Sequence, residues 1–226
     1  MARANRSPTL ITQMSAEPLD IPLLAPFAIA TGQVTALRNV LLRVTLADGT
    51  EGLGEAAPFP PSGGETQETA LAAAHGMIPL VAGQDAAHWR PLAASLTAHF
   101  EAHATARAGV EMAILDALTR SWGISLAQFF GGAQTHLQTD ITIPIETPAQ
   151  MAELAQRYTG MGAGVLKLKV GTQSGDDLER VLAVANAAPT CDLILDGNQG
   201  FTPPEALALL TSLAREDVHP ILFEQP

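Results

Sequence analysis

The sequence predicts an α/β chain in two parts, an N-terminal α+β region followed by the first half of a parallel (β/α) barrel. Two observations predict the change of architecture. Residues 10 to 57 carry hairpin signals: alternating apolar strands, an Asp-Gly turn and a glycine-rich strand. From about residue 137, strand-like runs alternate with capped helical stretches in the order β-α-β-α-β-α-β, the pattern of a parallel sheet. The third observation is a spacing. Lys169 to Asp196 is 27 positions and Asp196 to Glu224 is 28, each about one strand, one helix and two loops. The expected boundary divides residues 1–134 from 135–226.

In the first part, Leu10 to Ile21 partly alternates, and Val40 to Leu46 alternates before the turn Ala47-Asp48-Gly49-Thr50. Glu51-Gly-Leu-Gly-Glu-Ala is a strand whose glycines predict a close backbone approach or a bulge. Pro58 to Gly64 is a turn-rich loop. Helices follow. Glu65 to Leu80 is expected to be helical, with Leu71, His75 and Ile78 in the periodic positions. Ala104 to Trp122 is the clearest helix, since Val110, Ala113, Ile114, Ala117 and Leu118 recur at helical spacing. Ser125 to Phe130 is a short helix stopped by Gly131-Gly132. His99 and His103, four apart, are read as surface residues of one helix, without the Glu that a zinc-protease helix requires.

In the second part, Thr139 to Ile145 is expected to be a strand. Thr147-Pro148 then opens a helix as N-cap and first residue, running to about Met161. Gly164 to Val170 is a strand and Gly175 to Ala188 a helix. Asp192 to Asp196 is a strand, Thr202-Pro-Pro-Glu opens a capped helix, and Pro220 to Glu224 is the last strand. Four parallel strands are half of an eight-stranded barrel, so the chain is expected to be incomplete as a folding unit.

Composition narrows the function classes. The 226 residues are 47% hydrophobic and only 15% charged, which suits a packed core and excludes a disordered chain. Twelve basic against 23 acidic residues leave a net charge of -11, which disfavours nucleic acid and anionic membranes as partners. A single cysteine, Cys191, excludes an internal disulfide framework and is read as a strand-entry residue. The basic start, Met1 to Pro8, is followed by no apolar signal-peptide region, and no apolar run is long enough to span a membrane. A cytoplasmic location is expected.

The chemistry gathers at the strand ends, which a parallel barrel places on one face. Lys167 and Lys169, two apart on one strand, point the same way. Side by side they repel, so at least one is expected to have a lowered pKa and to be usable as a base near neutral pH. The alternative is two lysines snorkelling at a strand end. Asp196 and Asn198 are likewise two apart, and Glu224 ends the next strand. Carboxylates and an amide from adjacent strand ends make an oxygen cage suited to Mg²⁺. The alternative is a salt-bridge network between these acids and the lysines. No Cys/His pattern suggests zinc, and neither a nucleophile elbow nor a phosphate-binding loop motif occurs. A lysine base beside Mg²⁺ suits removal of a proton α to a carboxylate, because the cation stabilises the second negative charge that develops.

Lys167-Leu-Lys169, Asp196-Gly-Asn198 and Glu224-Gln-Pro, at these spacings, resemble the enolase superfamily, muconate-lactonizing/mandelate racemase branch. Pro26-Phe-Ala-Ile-Ala-Thr-Gly, Gly54 to Thr66, Thr139 to Ile145 and Leu195-Asp-Gly-Asn-Gln-Gly-Phe-Thr-Pro look most like its dipeptide epimerases of the L-Ala-D/L-Glu type. The resemblance implies an N-terminal capping domain and a modified TIM-type barrel. It implies that Lys169 is one acid/base catalyst, and that Lys167 binds the substrate carboxylate and depresses its neighbour's pKa. Asp196 and Glu224 would be Mg²⁺ ligands, with Asn198 supporting the metal shell and Thr142 touching the substrate. Loops near Ala25 to Gln33 and Pro58 to Thr66 would close over the pocket. A third carboxylate ligand, a second catalytic lysine and an ammonium-binding acidic pair would lie beyond Pro226, so these 226 residues alone are expected to be inactive. Gly197, where the family pattern has Ala, is taken as a minor variation.

The expected partners are a small dipeptide or carboxylate substrate and further copies of the chain. Two other readings compete. The same scaffold serves o-succinylbenzoate synthase, N-acylamino acid racemase or cycloisomerase chemistry. A non-catalytic, truncated interaction protein is the third.

Overall fold

The computed structural model describes residues 7–29, 32–60, 64–132, 136–171 and 176–226. The chain divides into two compact units, Met1–Leu24 with Thr35–Thr135, and Ala25–Val34 with His136–Pro226.

The first unit is built on a three-stranded sheet ordered β1 (Ile11–Ile29), β2 (Gly32–Leu46), β3 (Glu51–Ala56). β1 lies at the edge, which is what its three prolines require. Pro18, Pro22 and Pro26 are four apart, so their missing N–H groups all fall on one side of the strand, and the open edge loses nothing by it. β2 and β3 are antiparallel in the register Leu42↔Gly54 and Val44↔Gly52. The expected Asp-Gly turn joins them. Gly49 takes φ +88°, and the Asp48 carboxylate accepts the Thr50 N–H at 2.8 Å.

The glycines of β3 answer to close approach. A Cβ on Gly52 would stand 2.1 Å from the Ala117 nitrogen, and one on Gly54 would stand 2.0 Å from the Gly109 oxygen. Helix α3 (Ala104–Ser121) therefore lies directly on the strand, along its small residues Gly109, Ala113 and Ala117. Val110, Ile114 and Leu118 join Val40, Leu42 and Val44 in the same core.

Helix α1 (Gln67–Val81) starts two residues later than expected, because Thr66 forms a capping box with Thr69. Its buried stripe is Ala70, Ala73, Ala74, Met77 and Val81, which corrects the expected one. Leu71 and Ile78 are only partly buried and His75 is exposed, its ring against the Ala16 carbonyl at 3.1 Å. Alanines carried the inward face, and the larger residues misplaced it. A second correction concerns residues 86–99. A short 3-10 turn (Ala86–His88) and helix α2 (Trp89–His99) occupy a stretch for which no element was expected. Only Leu92 and Leu96 of α2 are buried, too few to make a periodic signal. His99 ends α2 and His103 is the N-cap of α3, so the two histidines do not share a helix. The short helix α4 (Leu126–Phe129) begins at a Ser125 capping box.

The second unit is a four-stranded parallel sheet in sequence order: β4 (Ile141–Ile143), β5 (Val165–Lys169), β6 (Asp192–Asp196) and β7 (Leu222–Glu224). Between them run α5 (Pro148–Gly160), α6 (Asp177–Ala187) and α7 (Pro203–Arg215). The outer strands are shorter than expected, and β4 stops at Pro144, which has no N–H to give the ladder. The expected start of α6 at Gly175 lies outside the described residues. Thr147 and Thr202 both form capping boxes ahead of a proline, as their sequences predict. Leu166, Leu168, Leu193 and Leu195 face the helices and pack with Met151, Val181, Val184, Leu209 and Leu213. Each such leucine contributes about 1.5–3 kcal/mol on burial. Register then dictates that Lys167, Lys169 and Asp196 face the other way.

Candidate active site

Parallel pairing sets Lys169 beside Asp196 and Asp196 beside Glu224. One step back along the strands, Thr142 pairs with Lys167. In-register residues point to the same side of a sheet. Thr142, Lys167, Lys169, Asp196 and Glu224 thus share the face away from the leucine core.

The charged groups engage one another closely. Lys169 Nζ donates to Asp196 Oδ2 at 2.6 Å and to Asn198 Oδ1 at 3.0 Å. Lys167 Nζ lies 2.9 Å from the same Asp196 oxygen and donates to Glu224 Oε2 at 2.5 Å. The second Asp196 oxygen, Oδ1, accepts the Asn198 backbone N–H at 3.1 Å. Burial is graded: the Asp196 side chain is 2% exposed, Lys169 10%, Lys167 19% and Glu224 41%. The salt-bridge alternative raised by the sequence is the arrangement these four side chains adopt. The site so joins Lys167, Lys169, Asp196, Asn198 and Glu224, with Thr142 one strand away.

The Lys167 ammonium is held above its ordinary pKa. Burial pushes it down, but the hydrogen bonds and charges of Glu224 and Asp196 outweigh that. Each ammonium lies within 2.9 Å of a carboxylate oxygen. Asp196 is held below the ordinary carboxylate range. Burial raises it, and the hydrogen bonds from Lys169, Lys167 and the Asn198 N–H more than offset that.

The backbone after the strands is tightly interlocked. Asn198, Gln199 and Gln225 take φ of 44°, 66° and 40°, left-handed conformations that cost non-glycine residues of order 1–3 kcal/mol each. Gly197 N–H bonds to Glu224 O at 2.9 Å and Gln199 N–H to Gln225 O at 2.8 Å. Gly197 is no minor variation here, because a Cβ on it would stand 2.8 Å from the Gln225 oxygen.

Two supporting residues escaped the sequence reading. Asp177 accepts the Gly171 N–H at 3.0 Å and pairs with Arg180 at 3.1 Å, while Arg180 Nε donates to Glu146 O at 2.9 Å. Together they tie the loops after β4 and β5. Their i,i+3 opposite charges at the start of α6 were the available signal. The loops near Ala25 to Gln33 and Pro58 to Thr66 include residues 30–31 and 61–63, which lie outside the described residues.

Asp196, Glu224 and the Asn198 amide offer hard oxygen donors, which fit Mg²⁺. The Lys167 ammonium is a stand-in for such an ion, since oxygens of both carboxylates already converge on this one cation. Mg²⁺ commonly takes one or two carboxylates and keeps several waters, so two acids are enough to begin a site. Among the described residues no group of three His, Cys, Asp or Glu side chains could hold a metal. No described helix is long and apolar enough to cross a membrane.

Residues 13–131 match the family model of the mandelate racemase / muconate lactonizing enzyme N-terminal domain, and residues 150–226 match an enolase C-terminal domain-like model. An aromatic dipeptide epimerase of Herpetosiphon aurantiacus is 44% identical over 97% of the chain and 62% of its own length. The crystal structure of a mandelate racemase/muconate lactonizing protein from the same organism superposes with TM-score 0.93 at 44% identity, over 97% of this chain and 62% of that one. A dipeptide epimerase from Cytophaga hutchinsonii, complexed with Mg and D-Ala-L-Val, superposes with TM-score 0.89 at 28% identity, over 96% and 59%. The chain therefore spans about three fifths of the length of these relatives. Its N-terminal α+β unit, its parallel sheet and both family matches agree, and the chain belongs to the mandelate racemase / muconate lactonizing enzyme family.

Proposed function

We propose that this chain serves the epimerisation of dipeptides, by removal and return of the proton α to a carboxylate. The observation that carries the reading is the convergence of Lys167, Lys169, Asp196 and Glu224 at the ends of three neighbouring parallel strands, in a chain whose relatives include dipeptide epimerases.

Lys169 is the acid/base residue. It is the more enclosed of the two lysines, and its ammonium is aimed by Asp196 and Asn198. Lys167 is the group that meets the substrate carboxylate, because it is more exposed and lies level with Thr142. Thr142 contacts the substrate from β4. Asp196 and Glu224 would hold Mg²⁺, with Asn198 keeping the Asp196 carboxylate in place through its N–H. When bound there, the ion supplies positive charge against the negative charge that the substrate carboxylate gains as the α-carbon loses its proton. Epimerisation takes a proton from one face and returns it on the other, and Lys169 serves one face only. The other face needs a second acid/base group, so the residues described here are not expected to complete the cycle by themselves.

Exchange of the substrate α-proton with D₂O, followed by NMR in the active enzyme, tests the assignment. Lys169→Ala should slow exchange from one enantiomer by about a hundredfold or more while Mg²⁺ still binds. Unchanged exchange from both enantiomers would remove Lys169 from the chemistry.

A further inference from the structure

Lys167 and Lys169 are the only two lysines in the whole sequence, against ten arginines. Both ammoniums meet at Asp196 Oδ2, so two cations share one oxygen. With Glu224 the set is a balanced quartet, two positive and two negative. A divalent cation cannot simply be added to it. It would meet two carboxylates already neutralised and two ammoniums already close by, and like charges at such short range are strongly unfavourable in a partly buried setting.

The two lysines are not equally placed to give way. Lys169 has a second anchor in Asn198 Oδ1 at 3.0 Å and is the less exposed. Lys167 bridges both carboxylates, Asp196 at 2.9 Å and Glu224 at 2.5 Å, and leads toward the Glu224 side chain, which is 41% exposed. We infer that Lys167 is an internal counter-cation that holds the place of the divalent metal, and that metal binding displaces its ammonium toward the open face of the sheet. Displaced, Lys167 has lost both counter-ions and becomes a site for an anion. Metal loading thereby prepares the face for a carboxylate substrate, and the order of binding is metal first. This rests on the metal reading of Asp196 and Glu224 given above.

In protein labelled with ¹³C at the lysine ε-carbon, the signals of Lys167 and Lys169 are assigned with Lys167→Met and Lys169→Met. Titrating the wild-type protein with Mg²⁺ at constant neutral pH should move the Lys167 signal markedly and the Lys169 signal far less. Calorimetry on the variants is the second reading. Lys167→Met should bind Mg²⁺ at least tenfold more tightly than wild type, and Lys169→Met should gain clearly less. Mg²⁺ bound equally by wild type and Lys167→Met, with an unmoved Lys167 signal, would overturn the displacement and leave the metal site standing. No Mg²⁺ binding by either protein would overturn the metal reading and this inference with it. If Lys167→Met does not fold, the wild-type titration decides alone.

Discussion

Gly197 lies against the carbonyl of Gln225 so closely that a Cβ would stand 2.8 Å from that oxygen and 3.0 Å from the α-carbon of Pro226. The carbonyl cannot step aside freely, because it accepts the Gln199 N–H at 2.8 Å. Gly197→Ala should therefore push the end of β7 away and cost about 1–3 kcal/mol, as overpacking does. Urea unfolding measures it. A variant as stable as wild type would show that the strand ends are not interlocked.

Asp196 links pH to stability. Its folded pKa is lowered, so its stabilisation is present above the unfolded value near 3.8 and is lost as pH falls through the lowered folded value. Asp196→Asn leaves Lys169 with Asn198 alone and Lys167 with Glu224 alone, and should cost about 3–5 kcal/mol at neutral pH. The gap to wild type should close in acid below about pH 4, where the wild-type carboxyl also gains a proton. Lys167 has the opposite sign. Its raised pKa contributes fully below 10.5 and is lost only as pH climbs through the higher folded value. A gap constant from neutral pH into strong acid would contradict the pairing.

Glu224 separates metal binding from stability. Its side chain is 41% exposed, so Glu224→Gln should lower stability by less than about 1 kcal/mol. Mg²⁺ affinity should nonetheless fall by about tenfold or more, since one of two carboxylate donors is gone. An unaltered metal titration would take Glu224 out of the set.

The β3–α3 contact gives a sharp steric contrast. Gly54→Ala places a Cβ 2.0 Å from the Gly109 oxygen, so it should cost about 3 kcal/mol or more. Gly160→Ala, at the end of α5, meets nothing within 4 Å and should be neutral or add about 0.4–1 kcal/mol. Thermal unfolding of the two variants side by side checks both signs.

The features legible in the residues alone are local ones. Side-chain alternation put Lys167 and Lys169 on one side of β5, and the 27- and 28-residue intervals brought Asp196 and Glu224 to the neighbouring strand ends. Caps at Thr147 and Thr202, the Asp48-Gly49 turn and the close approach at Gly52 and Gly54 were readable for the same reason, because each depends on residues within a few positions or on the absence of a side chain. Tertiary structure decided the rest. The inward face of α1 follows what its alanines meet, and α2 exists because Leu92 and Leu96 find a core that their own segment does not announce. Whether two lysines repel or are held depends on carboxylates 27 and 57 residues away. The intolerance of Gly197 comes from the Gln225 carbonyl, brought against it by strand pairing. Spacing along a chain specifies which residues share a face, while the distances that set charge and steric energies arise only when separate segments pack.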